Sequence, residues 1–512
     1  MSGHLIKPLT SPRFCFSLKD EAATIRLAED MAAILAPGDV VLLSGDLGAG
    51  KSTFARALLR NLAKDPDLEV PSPTFTLVQS YDFGRLSVVH VDLYRLEEAE
   101  EIEQLGVDEA VQSGAALIEW PEMAEEFLPD GALWIQFAHV PGEETAERVV
   151  HIAVPAPGWE DRLERTFAAR ALLDGAGYTG AHRQHLAGDA SIRRFERIDL
   201  GAESAVLMDW PEPTGGAGTA EALSYDKKVH LAPDCRAFVA VAGELRRRGF
   251  GAPEIYAADM KAGLLLLENL GSEGVVDAHG PIPDRYHAAI EVLVELHSRS
   301  MPDEVRLADN SVYRLAAYDT RAFVTEAELY LDWYHRHKLG RPVDHAVRQE
   351  FGRLWTAVLQ NLPDETTWVL RDYHSPNLLW RSKKTGLEQV GLIDVQDAVI
   401  GPAAYDVASL TFDARVDVPA DLENALYCGY VKSRGAADPS FDQAGFAAAY
   451  AVMAAQRTTK ILGIFVRLAQ RDGKQAYVRH IPRLVGYMGR IVRDPVLEDL
   501  KAWFDRNGLF SS

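Results

Sequence analysis

Val40-Val41-Leu42-Leu43-Ser44-Gly45-Asp46-Leu47-Gly48-Ala49-Gly50-Lys51-Ser52 decides how the front of this 512-residue chain is read. Four consecutive apolar residues suit a strand buried on both faces. The turn after them fits G-x-x-x-x-G-K-[ST], the pattern of a phosphate-binding loop. Small residues at Gly45, Gly48, Ala49 and Gly50 let backbone N–H groups approach phosphate oxygens, and the helix beginning there adds the positive end of its dipole. Lys51 then reaches the outer phosphates of ATP, and the Ser52 hydroxyl ligates Mg2+.

The flanking sequence supports that reading. Before the loop, Leu27, Met31, Ile34 and Leu35 recur at helical spacing until Pro37-Gly38 stops the pattern. After it, Val88 to Val91 and Ala115 to Ile118 are two further apolar runs, closed by Asp92 and Glu119. Strands alternating with helices predict an α/β domain with a mainly parallel sheet, a P-loop NTPase fold. Strand C-termini in such a sheet face the ligand crevice, which places Asp92 and Glu119 at the metal or the attacking water. Helix capping is the other role for acidic residues in that position. Val149 to Val154 reads as the last strand and Pro155 to Gly158 as a linker, giving domains at 1–158 and 159–512.

Four ordered motifs make this front region resemble TsaE, the ATPase of bacterial tRNA threonylcarbamoyladenosine synthesis. They are Gly45 to Phe54, Val70-Pro71-Ser72-Pro73-Thr74-Phe75, His90-Val91-Asp92-Leu93-Tyr94-Arg95-Leu96 and Ile118-Glu119-Trp120-Pro121. The resemblance implies that the Ser72–Phe75 segment is a switch near the nucleotide. It implies nucleotide contacts from Thr53 and Thr74, and it assigns Asp92 and Glu119 to magnesium and catalysis. It also implies TsaB–TsaD-type proteins as partners.

In the rear of the chain, Leu370-Arg371-Asp372-Tyr373-His374-Ser375-Pro376-Asn377 has the Asp-x-x-x-x-Asn spacing of a kinase catalytic loop. Asp372 orients or deprotonates a substrate hydroxyl, and Asn377 holds magnesium. Leu392-Ile393-Asp394 follows, an apolar strand ending in a second metal ligand. Short strand-like segments (Arg194 to Ile198, Ala205 to Met208, Leu264 to Leu267) come before long helical patterns, so the rear is expected to be a two-lobed, protein-kinase-like α+β domain. A strand pair is expected around Val369 and Leu392-Ile393.

These stretches resemble the aminoglycoside phosphotransferase/choline kinase superfamily, and within it the AmgK-type cell-wall amino-sugar kinases. Gly188 to Phe195, Leu265 to Gly271, Ile393 to Asp397, Gly401 to Leu410 and Gln456 to Gly463 carry the match beside the Asp372 loop. The implied reaction is ATP-dependent phosphorylation of N-acetylmuramate or N-acetylglucosamine at the anomeric hydroxyl. Choline, homoserine or an aminoglycoside as acceptor, and a non-catalytic binding module, are the rival readings. Two residues depart from the family pattern. Leu370 stands where a His usually opens the loop, and Ala205 to Asp209 lacks the strand Lys that holds ATP phosphates. Arg193, Arg194 and Lys228 are the candidates to replace that Lys.

Elsewhere in the rear, His297 reads as packing, and Glu328, Tyr330, Trp333 and Tyr334 read as core sooner than as a sugar platform.

Composition limits the rest. The net charge is −22, and residues 1–158 carry 11 Lys+Arg against 26 Asp+Glu. So acidic a domain repels a phosphate backbone, and tight binding of nucleic acid by this domain alone is not expected. No apolar run reaches the ~18 residues of a membrane span. Three cysteines, no signal peptide and no such span lead to a cytoplasmic expectation.

Overall fold

A computed structural model describes residues 12–140, 147–154, 158–186, 193–211, 220–364 and 366–510. The linker residues Pro155 to Pro157, the Gly188 to Ile192 turn and the Thr214 to Thr219 loop lie outside them. The chain forms two compact units: residues 1–210 with 256–267, and residues 211–255 with 268–512.

The first unit begins with β1 (Phe14–Leu18), α1 (Glu21–Ile34), β2 (Val40–Gly45), α2 (Lys51–Ala63), β3 (Val78–Asp82), β4 (Ser87–Asp92), α3 (Val107–Val111), β5 (Ala115–Glu119), β6 (Leu133–His139) and β7 (Arg148–Ala153). Their sheet has the order β1-β7-β6-β2-β5-β4-β3. The central run β6-β2-β5-β4 is parallel, and β1, β3 and β7 pair antiparallel at its margins. The all-apolar runs of β2 and β5 are buried throughout, as strands covered on both faces must be. Asp20 caps α1, its carboxylate accepting the Ala23 N–H at 2.7 Å.

The unit continues past the expected domain boundary. α4 (Trp159–Gly175), β8 (His182–Leu186), β9 (Arg194–Leu200), β10 (Glu203–Asp209), β11 (Ile255–Asp259) and β12 (Leu264–Glu268) follow, the strands forming a sheet of order β11-β12-β10-β9-β8. Trp159 and Leu163 join the same apolar core as Leu27, Met31 and Leu58 of α1 and α2. Phe167 sets its edge against Phe14 and Phe16. A buried ionic cluster ties α4 and β8 to α1. The Arg183 guanidinium donates to Glu196 at 2.7 and 2.9 Å and to Asp30 at 2.7 Å, and Arg170 reaches Asp30 at 2.7 Å. Burial works against the Arg183 charge, but Glu196 and Asp30 outweigh it and hold its pKa above the ordinary value. Arg162 makes a bidentate pair with Asp39, at 2.6 and 2.8 Å.

The second unit is mainly helical, and its longest helix is Gln443–Gln470. Gly463 of that helix lies against the backbone of Leu329, where a Cβ would come within 2.3 Å of the carbonyl oxygen. The expected pairing of strands near Val369 and Leu392 is corrected. Thr367–Val369 pairs with Val399–Gly401, and Val390–Leu392 pairs with Leu378–Trp380, so each takes a partner that the sequence reading left unassigned. Both pairs are three residues long, too short to show alternation. Tyr330 packs among Phe351, Trp503 and Phe504, so Tyr330 and the buried Tyr334 are core, while Glu328 and Trp333 are half-buried. His297 is buried and bonded to the Tyr430 hydroxyl at 2.8 Å.

Candidate active sites

The front site forms where β2 ends. Gly45 has a φ of 137°, and a Cβ there would sit 2.3 Å from the Phe137 carbonyl oxygen, so only glycine fits beside β6. Gly48, Ala49 and Gly50 complete the turn into α2, whose first three residues are Lys51, Ser52 and Thr53. The Lys51 ammonium is buried; it donates to the carbonyls of Gly45 at 2.5 Å and Asp46 at 3.0 Å and lies 3.6 Å from the Trp120 ring centre. Burial lowers its pKa, opposed by Glu119, Glu122, Asp92 and Asp46.

Asp92 and Glu119 close β4 and β5 as direct cross-strand partners, and both are buried. Ser52 Oγ donates to Glu119 at 2.8 Å, while Ser72 and Thr74 donate to Asp92 at 2.8 and 2.7 Å. The predicted loop, carboxylates and Ser-Pro-Thr segment therefore meet in one place. His90, to which the sequence reading gave no role, bonds the other oxygen of Glu119 at 2.9 Å. Its signal was there, two residues before Asp92 and so on the same face of β4. Glu122 was missed as well; it accepts from the Ser44 hydroxyl.

The rear loop is held differently. Asp372, Asn377 and Asp394 meet in the second unit and line one shallow cavity with Leu370, Tyr373 and Ile393. Asn377 Nδ2 donates to the Asp372 carbonyl at 3.0 Å and to Asp394 at 3.3 Å. Asp394 has a φ of 61° and is oriented by Gln396, at 3.0 Å. Burial disfavours the Asp372 carboxylate, but His374, 4.0 Å away, and the charges of Lys460, Arg457 and Arg371 prevail and keep its pKa low. Asp406 accepts the N–H groups of Leu370 and Arg371 at 2.6 and 2.9 Å, and burial pushes its pKa up to about 7. Of the three candidates for the missing Lys, Arg194 opens β9 in the first unit with Arg193 just before it, and Lys228 ends helix Ala220–Lys228 in the second.

Residues 18–149 match the family of threonylcarbamoyl adenosine biosynthesis protein TsaE, and residues 182–450 match the phosphotransferase enzyme family. The chain belongs to both families. An N-acetylmuramate/N-acetylglucosamine kinase of Caulobacter vibrioides is 36% identical over 356 residues, 67% of this chain and 96% of that protein. TsaE of Rickettsia felis is 42% identical over 111 residues, 22% of this chain and 64% of that protein. TsaE of Rickettsia bellii is 41% identical over 112 residues and is covered to 77%.

The TsaE part thus supplies a P-loop ATPase and the phosphotransferase part a kinase loop, two enzymatic sites on one chain. Both donor sets suit a hard cation. Ser52, Asp92 and Glu119 in the TsaE part, and Asn377 with Asp394 in the phosphotransferase part, offer the oxygen ligands that Mg2+ takes in phosphoryl transfer. Among the described residues, no helix is long and apolar enough to cross a membrane.

Proposed function

We propose that the chain is bifunctional and cytoplasmic. In this reading its front part hydrolyses ATP in support of threonylcarbamoyladenosine tRNA modification, with TsaB–TsaD-type partners. Its rear part transfers the outer phosphoryl group of ATP to the anomeric hydroxyl of N-acetylmuramate or N-acetylglucosamine in cell-wall recycling. We place the functional boundary at residues 155–158, with residues 159–512 as the kinase.

The meeting of Asp372, Asn377 and Asp394 carries the kinase reading, and the Caulobacter relative supports the choice of sugar. Magnesium, held by Asn377 and Asp394, neutralises charge on the phosphates when bound. Asp372, kept ionised by its cationic neighbours, orients the sugar hydroxyl and takes its proton. In the front site, Lys51 neutralises phosphate charge, while Glu119, fixed by Ser52 and His90, and Asp92, fixed by Ser72 and Thr74, serve the metal and the attacking water. Arg193, Arg194 and Lys228 remain the candidates for the rear phosphate contact.

Turnover of the full chain with ATP on a panel of both amino sugars, choline, homoserine and an aminoglycoside tests the substrate. Phosphorylation of the two amino sugars alone is expected; a preference for an amino alcohol overturns the sugar. Capture of TsaB–TsaD-type proteins by the full chain tests the partner.

A further inference from the structure

The motif Gln456 to Gly463 lies on the helix Gln443–Gln470, and the reaction as described gives it no work. Its side chains run to the catalytic loop. Arg457 Nε donates to Ser409 Oγ at 2.5 Å, and Ser409 Oγ donates to the Arg371 carbonyl at 3.2 Å. Gln456 and Lys460 both bond Glu326, at 3.2 and 3.3 Å, and Glu326 in turn pairs with the Arg371 guanidinium. One helix therefore grips the residue before Asp372 by its main chain and by its side chain.

That residue needs holding. Arg371 has a φ of 65°, a left-handed conformation that a side-chain-bearing residue keeps only where its surroundings over-determine it. Asp406 fixes the N–H groups on one side of the peptide, and the Ser409 hydroxyl fixes the carbonyl on the other. Arg457 is 4% exposed, and its Nη1 has no partner among the described residues. A buried cation with an unused donor is costly, and an apolar side chain of similar length would fill the same space without that cost.

We propose that Arg457 is a positioning residue for phosphoryl transfer, acting through Ser409 to fix the backbone that carries Asp372. It supplies from a distant helix the bracing that Leu370 does not. The proposal rests on Asp372 being the group that orients the acceptor hydroxyl.

The test compares Ser409→Ala, Arg457→Met, Arg457→Lys and the Ser409→Ala/Arg457→Met double variant in the full chain. Two readouts are needed: steady-state sugar phosphorylation, and amide hydrogen exchange over residues 370–372. Each single removal is expected to lower kcat by ~10-fold or more with KM within ~2-fold, because a displaced base costs rate before it costs binding. Arg457→Lys should recover part of the loss, and the double variant should be no slower than the slower single. The loop amides should exchange faster while the global melting temperature holds. Single variants within ~2-fold of the unmodified kcat, or losses that multiply in the double variant, overturn the relay. Should Arg457→Met not fold, Ser409→Ala, which removes one oxygen atom, decides alone. If the unmodified chain phosphorylates neither sugar, the substrate reading falls. Exchange then decides the relay, and unchanged loop protection overturns it.

Discussion

The loop around Lys51 and the loop around Asp372 perform related work with opposite construction. The first is made by neighbours in sequence: residues 45–52 form the loop, and glycine is required at Gly45 because β6 leaves no room for a Cβ. The second is held from outside. Its backbone groups are tied to Asp406 and Ser409, and its Arg371 side chain is tied to Glu326, 45 residues away. A phosphate cradle needs free N–H groups and so must stay clear of side chains. A loop that aims one carboxylate needs every other group fixed.

The largest expected effect concerns how far the front structure extends along the chain. Arg183→Met leaves Asp30 and Glu196 as buried carboxylates without their shared cation. Removing one member of a buried ion pair costs ~3–5 kcal/mol. Thermal melting of the full chain should show α1 and the β8–β12 sheet losing structure together. A melting curve like that of the unmodified chain would mean that the cluster holds nothing.

Next comes the front site itself. Glu119→Gln keeps the shape but removes the charge that Ser52 and His90 orient, so hydrolysis at the P-loop should fall by ~100-fold or more. The rear loop, built from other groups, should keep its sugar turnover. Near-normal hydrolysis would return Glu119 to a structural role.

The smallest effect is on acid stability. Burial, with Arg434 nearby, lowers the pKa of His297 from 6.5 to about 3. Below pH 6.5 the unfolded chain binds a proton there and the folded chain does not. This contribution to stability is therefore complete above pH 6.5 and is lost as pH falls toward 3, at up to ~1.4 kcal/mol per pH unit. His297→Phe should flatten that acid limb in melts between pH 5 and 7, and an unchanged slope would assign it to other groups.

The same contrast explains what could be read beforehand. The front loop, β2, β4, β5 and the two carboxylates were legible because apolar runs, glycines and strand-terminal acids report local geometry. The edge strands β1 and β3 were not, since Phe14 to Leu18 and Val78 to Asp82 mix apolar and polar residues at half-buried positions. In the rear, Asp372, Asn377 and Asp394 were legible from spacing. Asp406, Ser409 and Arg457 stood within recognised stretches, but their partners lie between 35 and 48 residues away in sequence. A long-range hydrogen bond leaves no local periodicity to find. Nor did composition reveal that the compact unit runs to Trp210, because that follows from Trp159 and Leu163 entering a core whose other buried members all lie before them.

A crossed pair of variants tests the two-site account most directly. Lys51→Ala and Asp372→Asn are made in the full chain, and phosphate release without sugar and phosphorylation of N-acetylmuramate and N-acetylglucosamine are measured for each. Lys51→Ala should abolish the first and leave the second, while Asp372→Asn should lower the second by ~100-fold or more and leave the first. Loss of both activities in either folded variant would contradict two separate sites.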